Sequence, residues 1–221
     1  MNINDVTTPD APQGDRLELI FARQTELMEK YHVIEDKNGL LQTPEVPVNL
    51  HSHKGQARLK DFAWRITEEL AEGLDALTVE GISPHVQEEM SDCLHFIVEM
   101  ALISGIGPKD FWQYLNPQGD LLNQKLDGLE ILYMSSKAPT TITSNVTEFI
   151  ARLGMVCHTL KNKPWKQTQI LTDVDLYRIR FIESFLSFIS VCRCMRINPE
   201  KLFNLYFRKS EVNRFRQRSN Y

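Results

Sequence analysis

Two pairs of carboxylates, Glu69 with Glu72 and Glu89 with Asp92, are the residues of this chain whose types and spacing could do chemistry. Residues three apart on a helix lie within about 60° of one another, so each pair presents both acids on one face. Glu69 and Asp92 border the apolar positions Ile66, Leu70, Cys93 and Phe96, which sets the acids at a seam between helices rather than in open solvent. Four carboxylates at one seam repel one another unless cations intervene. Hard oxygen ligands suit magnesium, which binds through a few carboxylates and completes its shell with water and substrate phosphates. Either pair alone is an ordinary solvated helix surface. The two together, on consecutive helices, point to a metal site, with Glu69 as the choice for a general base.

Near the C-terminus Lys209, Asn213 and Arg216 sit at helical spacing and share a face, where they could meet one triphosphate. A solvated basic tail is the plainer reading of the same residues. Gln24 falls inside the apolar stripe formed by Leu17, Ile20, Phe21, Leu27, Met28 and Tyr31, and a polar side chain there needs a partner. His51 and His53 have no nearby acid or cysteine and read as surface residues. His95 lies one turn from Asp92 and reads as a seam residue or a support for a ligand rather than a base. Neither a phosphate-cradling glycine loop nor a nucleophile elbow is present.

The elements that must position these groups are helical. Strand signals are scarce, and apolar residues recur at three-four spacing through most of the chain, which makes the class all-α. After the first stripe, residues 38–55 carry Pro44, Pro47 and two glycines and read as a long loop. A second helix is expected over 59–77. Ser83-Pro84 caps a third that runs to about 104, and Ile106-Gly107-Pro108 starts a short one in the same way. Further helices are expected over 120–136, 146–161, 173–196 and 199–217, with a threonine-rich connection at 138–144. Seven or eight helices follow without a break in composition, so one domain is expected over 15–221, preceded by a flexible segment, 1–14.

A weak repeat runs through this arrangement. Phe62-Ala-Trp-Arg65-Ile66 resembles Phe149-Ile-Ala-Arg152-Leu153, and the segment 106–111 resembles 197–202. Two similar helical hairpins are joined, and only the first keeps its acids: Glu69 and Glu72 become Val156 and Thr159, while Glu89 and Asp92 fall near Arg180 and Glu183.

Bulk properties restrict the partners. The 221 residues, 42% hydrophobic and 24% charged, carry a formal net charge of -4, which gives no bulk attraction to duplex nucleic acid or to an anionic membrane. Residues 1–13 have neither the basic start nor the apolar core of an export signal. The longest apolar stretch, 96–106, is interrupted by Glu99 and is too short to span a bilayer. Cys93, Cys157, Cys192 and Cys194 lack zinc-site spacing and read as reduced thiols, so a soluble cytoplasmic protein is expected.

The segment Glu89-Met-Ser-Asp92-Cys-Leu-His95-Phe96, with Glu69-Leu-Ala-Glu72, resembles the all-α nucleoside triphosphate pyrophosphohydrolases, the superfamily of dimeric dUTPases and MazG proteins. The closing segment from Leu205 through Lys209, Asn213, Arg216 and Gln217 to Tyr221 is similar to that of dimeric dUTPases and tailed-phage dCTP/dUTP pyrophosphatases. The resemblance implies that Glu69, Glu72, Glu89 and Asp92 ligate two or more magnesium ions, for which manganese can substitute. It also implies that Lys209, Asn213, Arg216 and Tyr221 contact the nucleotide, that Gln24 reads the base, and that the chain forms a homodimer. Ser210 and Asn220 stand where the family commonly has asparagine and glycine, and Lys163-Pro-Trp165-Lys166 resembles a family segment but follows the second acidic motif instead of preceding it. The implied reaction releases pyrophosphate from a deoxynucleoside triphosphate, dUTP first, with dCTP or a modified pyrimidine as the alternative. A helical protein that binds nucleotide or a partner without catalysis is the alternative of another class.

Overall fold

The computed structural model describes residues 14–39, 43–116, 127–163 and 165–218, and among them it has eight helices and no strand. They are α1 (Arg16–Lys37), α2 (His53–Glu80), α3 (Pro84–Ile103), α4 (Pro108–Leu115), α5 (Gly128–Ser135), α6 (Ile142–Thr159), α7 (Val174–Cys194) and α8 (Pro199–Arg218). Among these residues no single helix is long and apolar enough to cross a bilayer.

Short polar side chains start the helices by accepting from otherwise orphaned backbone N–H groups. Asp15 takes the amides of Leu17 and Glu18, Ser83 that of Val86 ahead of Pro84, and Asp173 that of Leu176. The ends of α3 and α7 share one geometry. Ile106 N–H donates to Ala101 O and Gly105 N–H to Leu102 O, while Ile197 N–H donates to Cys192 O and Arg196 N–H to Arg193 O. Gly105 has φ 77° and Arg196 has φ 58°, so both chains turn through the left-handed region before a proline opens the next helix. Glycine tolerates that conformation, whereas for Arg196 it costs roughly 1 kcal/mol.

Packing places α3 at the centre. Met90, Leu94, Val98 and Ala101 are wholly buried, with α2 along one side and α1, α7 and α8 on the others. Contacts of Gly73 with Met90, Ile66 with Cys93, and Phe62 with Phe96 show that α2 and α3 run antiparallel. Gly73 permits a close approach there, since a Cβ would lie 2.7 Å from Met90 Cε and 3.2 Å from Glu89 Cβ. The second pair, α6 with α7, is joined through Phe149 and Phe188, whose rings are 5.6 Å apart.

Boundaries differ from expectation in identifiable ways. Helix α2 begins at His53 rather than 59, because Ser52 caps it by accepting from Gly55 N–H, a start that the glycine and the polar first turn conceal in sequence. The loop before it is correspondingly shorter and is tied down by Val48 N–H donating to Ile103 O at 2.8 Å. Helix α6 starts at Ile142, capped by Thr141, not at 146. Of the helix expected over 120–136, residues 120–126 lie outside the described residues, and α5 begins at Gly128 with Asp127 as its cap. Residues 1–13 also lie outside the described residues.

Candidate functional site

Helices α1, α2, α3 and α8 enclose a cavity of about 450 Å³. Gln24, Glu69, Glu72, Glu89, Asp92, Lys209, Asn213 and Arg216 all line it, so the residues singled out in sequence from four separate segments share one space. Tyr221 lies outside the described residues. Lys163 and Trp165 do not line the cavity; Trp165 is 77% exposed and Lys166 joins the neighbouring loop, its carbonyl 3.2 Å from His53 Nε2. His51 serves the same loop, its Nδ1 accepting from Thr172 N–H.

One end of the cavity is acidic. Glu69, Glu89 and Asp92 each bring a carboxylate oxygen to within 4.8 Å of the others, and Glu72 lines the wall without joining that cluster. Burial and then the charges of Asp92, Glu72 and Glu89 push the Glu69 carboxyl up to about 7. Asp92 is raised to about 6, again chiefly by burial, against the pull of Lys209. Lys209 reaches over from α8, its Nζ 2.5 Å from Asp92 Oδ2 and 2.9 Å from Glu88 Oε1. Burial alone lowers the lysine, but Asp92 and Glu88 outweigh it and hold the ammonium charged. An all-oxygen cluster whose members raise one another's pKa is short of positive charge, and a hard divalent cation fits that deficit.

A buried polar network forms the floor. Gln24 Nε2 donates to Glu99 Oε2 at 2.9 Å. Its Oε1 lies 2.8 Å from both the Tyr206 hydroxyl and His95 Nδ1. The His95 ring stacks on Tyr206 with centroids 4.1 Å apart. Burial and the charge of Lys209 lower His95 to about 3, so it stays neutral and supports the seam. The partner that Gln24 needs is therefore threefold, and it draws α1, α3 and α8 together.

Aromatic and basic side chains complete the walls. Phe62 and Phe96 meet edge to face, 6.2 Å between centroids, with the Arg65 guanidinium 5.4 Å and 5.9 Å from the two rings. On α8, Gln217 donates to Leu27 O and Arg23 pairs with Glu211, which seats the helix carrying Asn213 and Arg216 against α1. Glu99, Arg65, Phe62 and Tyr206 are the site residues that spacing alone misses. The signal for Glu99 was present: a charge inside an apolar run, on the same helical face as Asp92.

An all-helical fold whose cavity joins a carboxylate cluster to a lysine-, asparagine- and arginine-bearing face is suited to hydrolysing nucleotides at a phosphate. The family model described as dUTPase matches residues 80–221, and the chain belongs to that family. It is a dUTP diphosphatase-like hydrolase of the nucleotide pyrophosphohydrolase type. Comparison with curated proteins and with solved structures returned no match. The matched range holds Glu89, Asp92, Lys209, Asn213 and Arg216, whereas Gln24, Glu69 and Glu72 precede it and join the site by geometry.

Proposed function

We propose that the chain hydrolyses deoxynucleoside triphosphates with magnesium, dUTP and water giving dUMP and pyrophosphate. The observation that carries this reading is the sharing of one cavity by the acids of α2 and α3, the Lys209, Asn213 and Arg216 face of α8, and Gln24 of α1. Glu69, Glu72, Glu89 and Asp92 would hold the metal, with manganese as a substitute. Magnesium bound there supplies positive charge to the phosphate oxygens as negative charge develops on them.

The chain's own residues do the rest. Glu69 takes a proton from water, whose oxygen forms the new bond to the α-phosphorus as the bond to the bridging oxygen breaks and pyrophosphate leaves. Lys209 and Arg216 hold the triphosphate by charge-assisted hydrogen bonds, and Asn213 and Tyr221 add contacts to the nucleotide. No covalent enzyme intermediate is required. dCTP or a modified pyrimidine is the second reading, since a polar floor with both donor and acceptor groups suits cytosine as well as uracil.

Residues 15–221 are taken as one domain acting as a homodimer in the cytoplasm, a reading that family membership supports. Descent of the two hairpins from one is supported by the shared turn that ends α3 and α7. The test is a panel of deoxy- and ribonucleoside triphosphates with magnesium, products identified. Monophosphate with pyrophosphate is expected, fastest from a deoxypyrimidine. Diphosphate with phosphate, or binding without turnover, would overturn the reading.

A further inference from the structure

Glu99 is a carboxylate on the cavity floor that the reaction above leaves unused. It is 7% exposed, lines the cavity, and lies about 10 Å along α3 from Asp92 at the helical rise per residue. Its Oε2 accepts from Gln24 Nε2, and among the described residues no donor reaches its Oε1. In the orientation the structure shows, the Gln24 oxygen faces His95 Nδ1 and the Tyr206 hydroxyl, which also lies 3.2 Å from Ile20 O, so its nitrogen faces Glu99 and keeps one hydrogen in hand. The floor therefore offers one free acceptor, Glu99 Oε1, beside one free donor, Gln24 Nε2.

An acceptor that opens on a cavity and has no protein donor calls for a donor on a ligand that displaces water from it. Phe62 and Phe96 wall the same cavity and give a planar ring an apolar surface to lie on. The acid cluster lies toward Glu89, about 15 Å from Glu99 along the helix, a separation that a nucleoside triphosphate spans.

We propose that Glu99 is a base-contacting residue, its Oε1 accepting an N–H from the Watson–Crick edge of a pyrimidine while the remaining Gln24 hydrogen donates to the adjacent acceptor. This rests on the pyrophosphohydrolase reading. Uracil offers the pair as N3–H beside a carbonyl, and cytosine as its amine beside N3. In both an N–H is flanked by an acceptor, and blocking that N–H covers Glu99 Oε1 without giving it a donor.

The test measures dissociation constants by calorimetry at about pH 8.5, where Glu99 is ionised, with magnesium and the full chain, for the α,β-imido analogues of dUTP and dCTP. The N3-methyl and N4,N4-dimethyl derivatives of the two are measured alongside. For wild type, methylation of the preferred base should weaken binding by at least about tenfold. In Glu99→Leu that penalty should fall to within about twofold, and the base affected tells which N–H is read. Equal binding of methylated and parent nucleotides by wild type overturns the proposal without recourse to any variant, as does an undiminished penalty in a folded Glu99→Leu. Natural nucleotides run in parallel for turnover separate the two readings: binding without pyrophosphate release sinks the hydrolase and leaves the base contact to be judged by the affinities. A wild type that binds no nucleotide overturns both.

Discussion

Replacing Glu99 by glutamine removes a titratable group from the cavity floor while keeping its shape and the hydrogen bond from Gln24. Burial holds the Glu99 carboxyl at about 7 against an ordinary 4.5, although Gln24 pulls it down. The folded state therefore binds this proton more tightly than the unfolded state. The resulting stability is fully present below pH 4.5, is lost as pH rises through 7, and stays lost above. At about 1.4 kcal/mol per pH unit, ionising Glu99 between pH 5 and pH 8 costs the folded chain about 2–3 kcal/mol. Glutamine does not titrate, so Glu99→Gln should gain about that much on wild type between those two pH values. The neighbours that shift Glu99 are Gln24, Glu35, Arg58 and Arg65, none of them in the acid cluster, so subtracting wild type from variant cancels the titration of Glu69 and Asp92. Urea denaturation in chelator at both pH values measures it. A variant that differs from wild type equally at pH 5 and pH 8 would show a carboxyl titrating near its ordinary value and a floor open to water.

Glu69→Gln should lower magnesium-dependent pyrophosphate release by about 10²–10⁴-fold with the helical circular dichroism unchanged, and Asp92→Asn should do likewise; retained turnover in both would remove the acid cluster from the chemistry. Arg216→Ala should raise the KM for nucleotide with kcat little altered, and an unchanged KM in steady-state assays would take the residue out of the site. Gly73→Ala forces a Cβ to 2.7 Å from Met90 Cε and 3.2 Å from Glu89 Cβ, so urea denaturation should give a loss of about 1–3 kcal/mol. The same variant should need more magnesium for half-maximal activity, because the contact displaces Glu89; full stability would mean that α2 and α3 separate freely there.

The acids and the α8 face were legible because helical spacing alone puts Glu69 with Glu72, Glu89 with Asp92, and Lys209 with Asn213 and Arg216, whatever the helices pack against. The start of α2 was not, since its signal is a single hydroxyl at Ser52 followed by a glycine and polar residues that break the apolar period. Glu99 was visible only as an interruption. Its meaning depends on which helix faces it, and the pairing with Gln24 joins positions far apart in the chain. The retreat of Glu72 from the cluster depends on side-chain directions that spacing does not fix.

The two hairpins differ in how their acids are balanced. Read as copies, they put Arg152 in the place of Arg65, and Glu183, Ser187 and Ser190 in those of Asp92, Phe96 and Glu99. Glu183 is neutralised within its own hairpin, 2.8 Å from Arg152 and 3.1 Å from Arg180. The cavity beside it is only about 190 Å³, and Lys137 pairs there with Glu148. In the first hairpin Arg65 lines the cavity but pairs with Asp61 at 3.0 Å rather than with Asp92, and the cation facing Asp92 is Lys209 from α8. Within the first hairpin Glu89 has only the exposed His85, 3.2 Å away, and Glu69 pairs with no cation among the described residues; burial first, then neighbouring acids, raises both carboxyls. An acid balanced inside its own hairpin braces the fold; acids that wait for an external cation can bind one and exchange it.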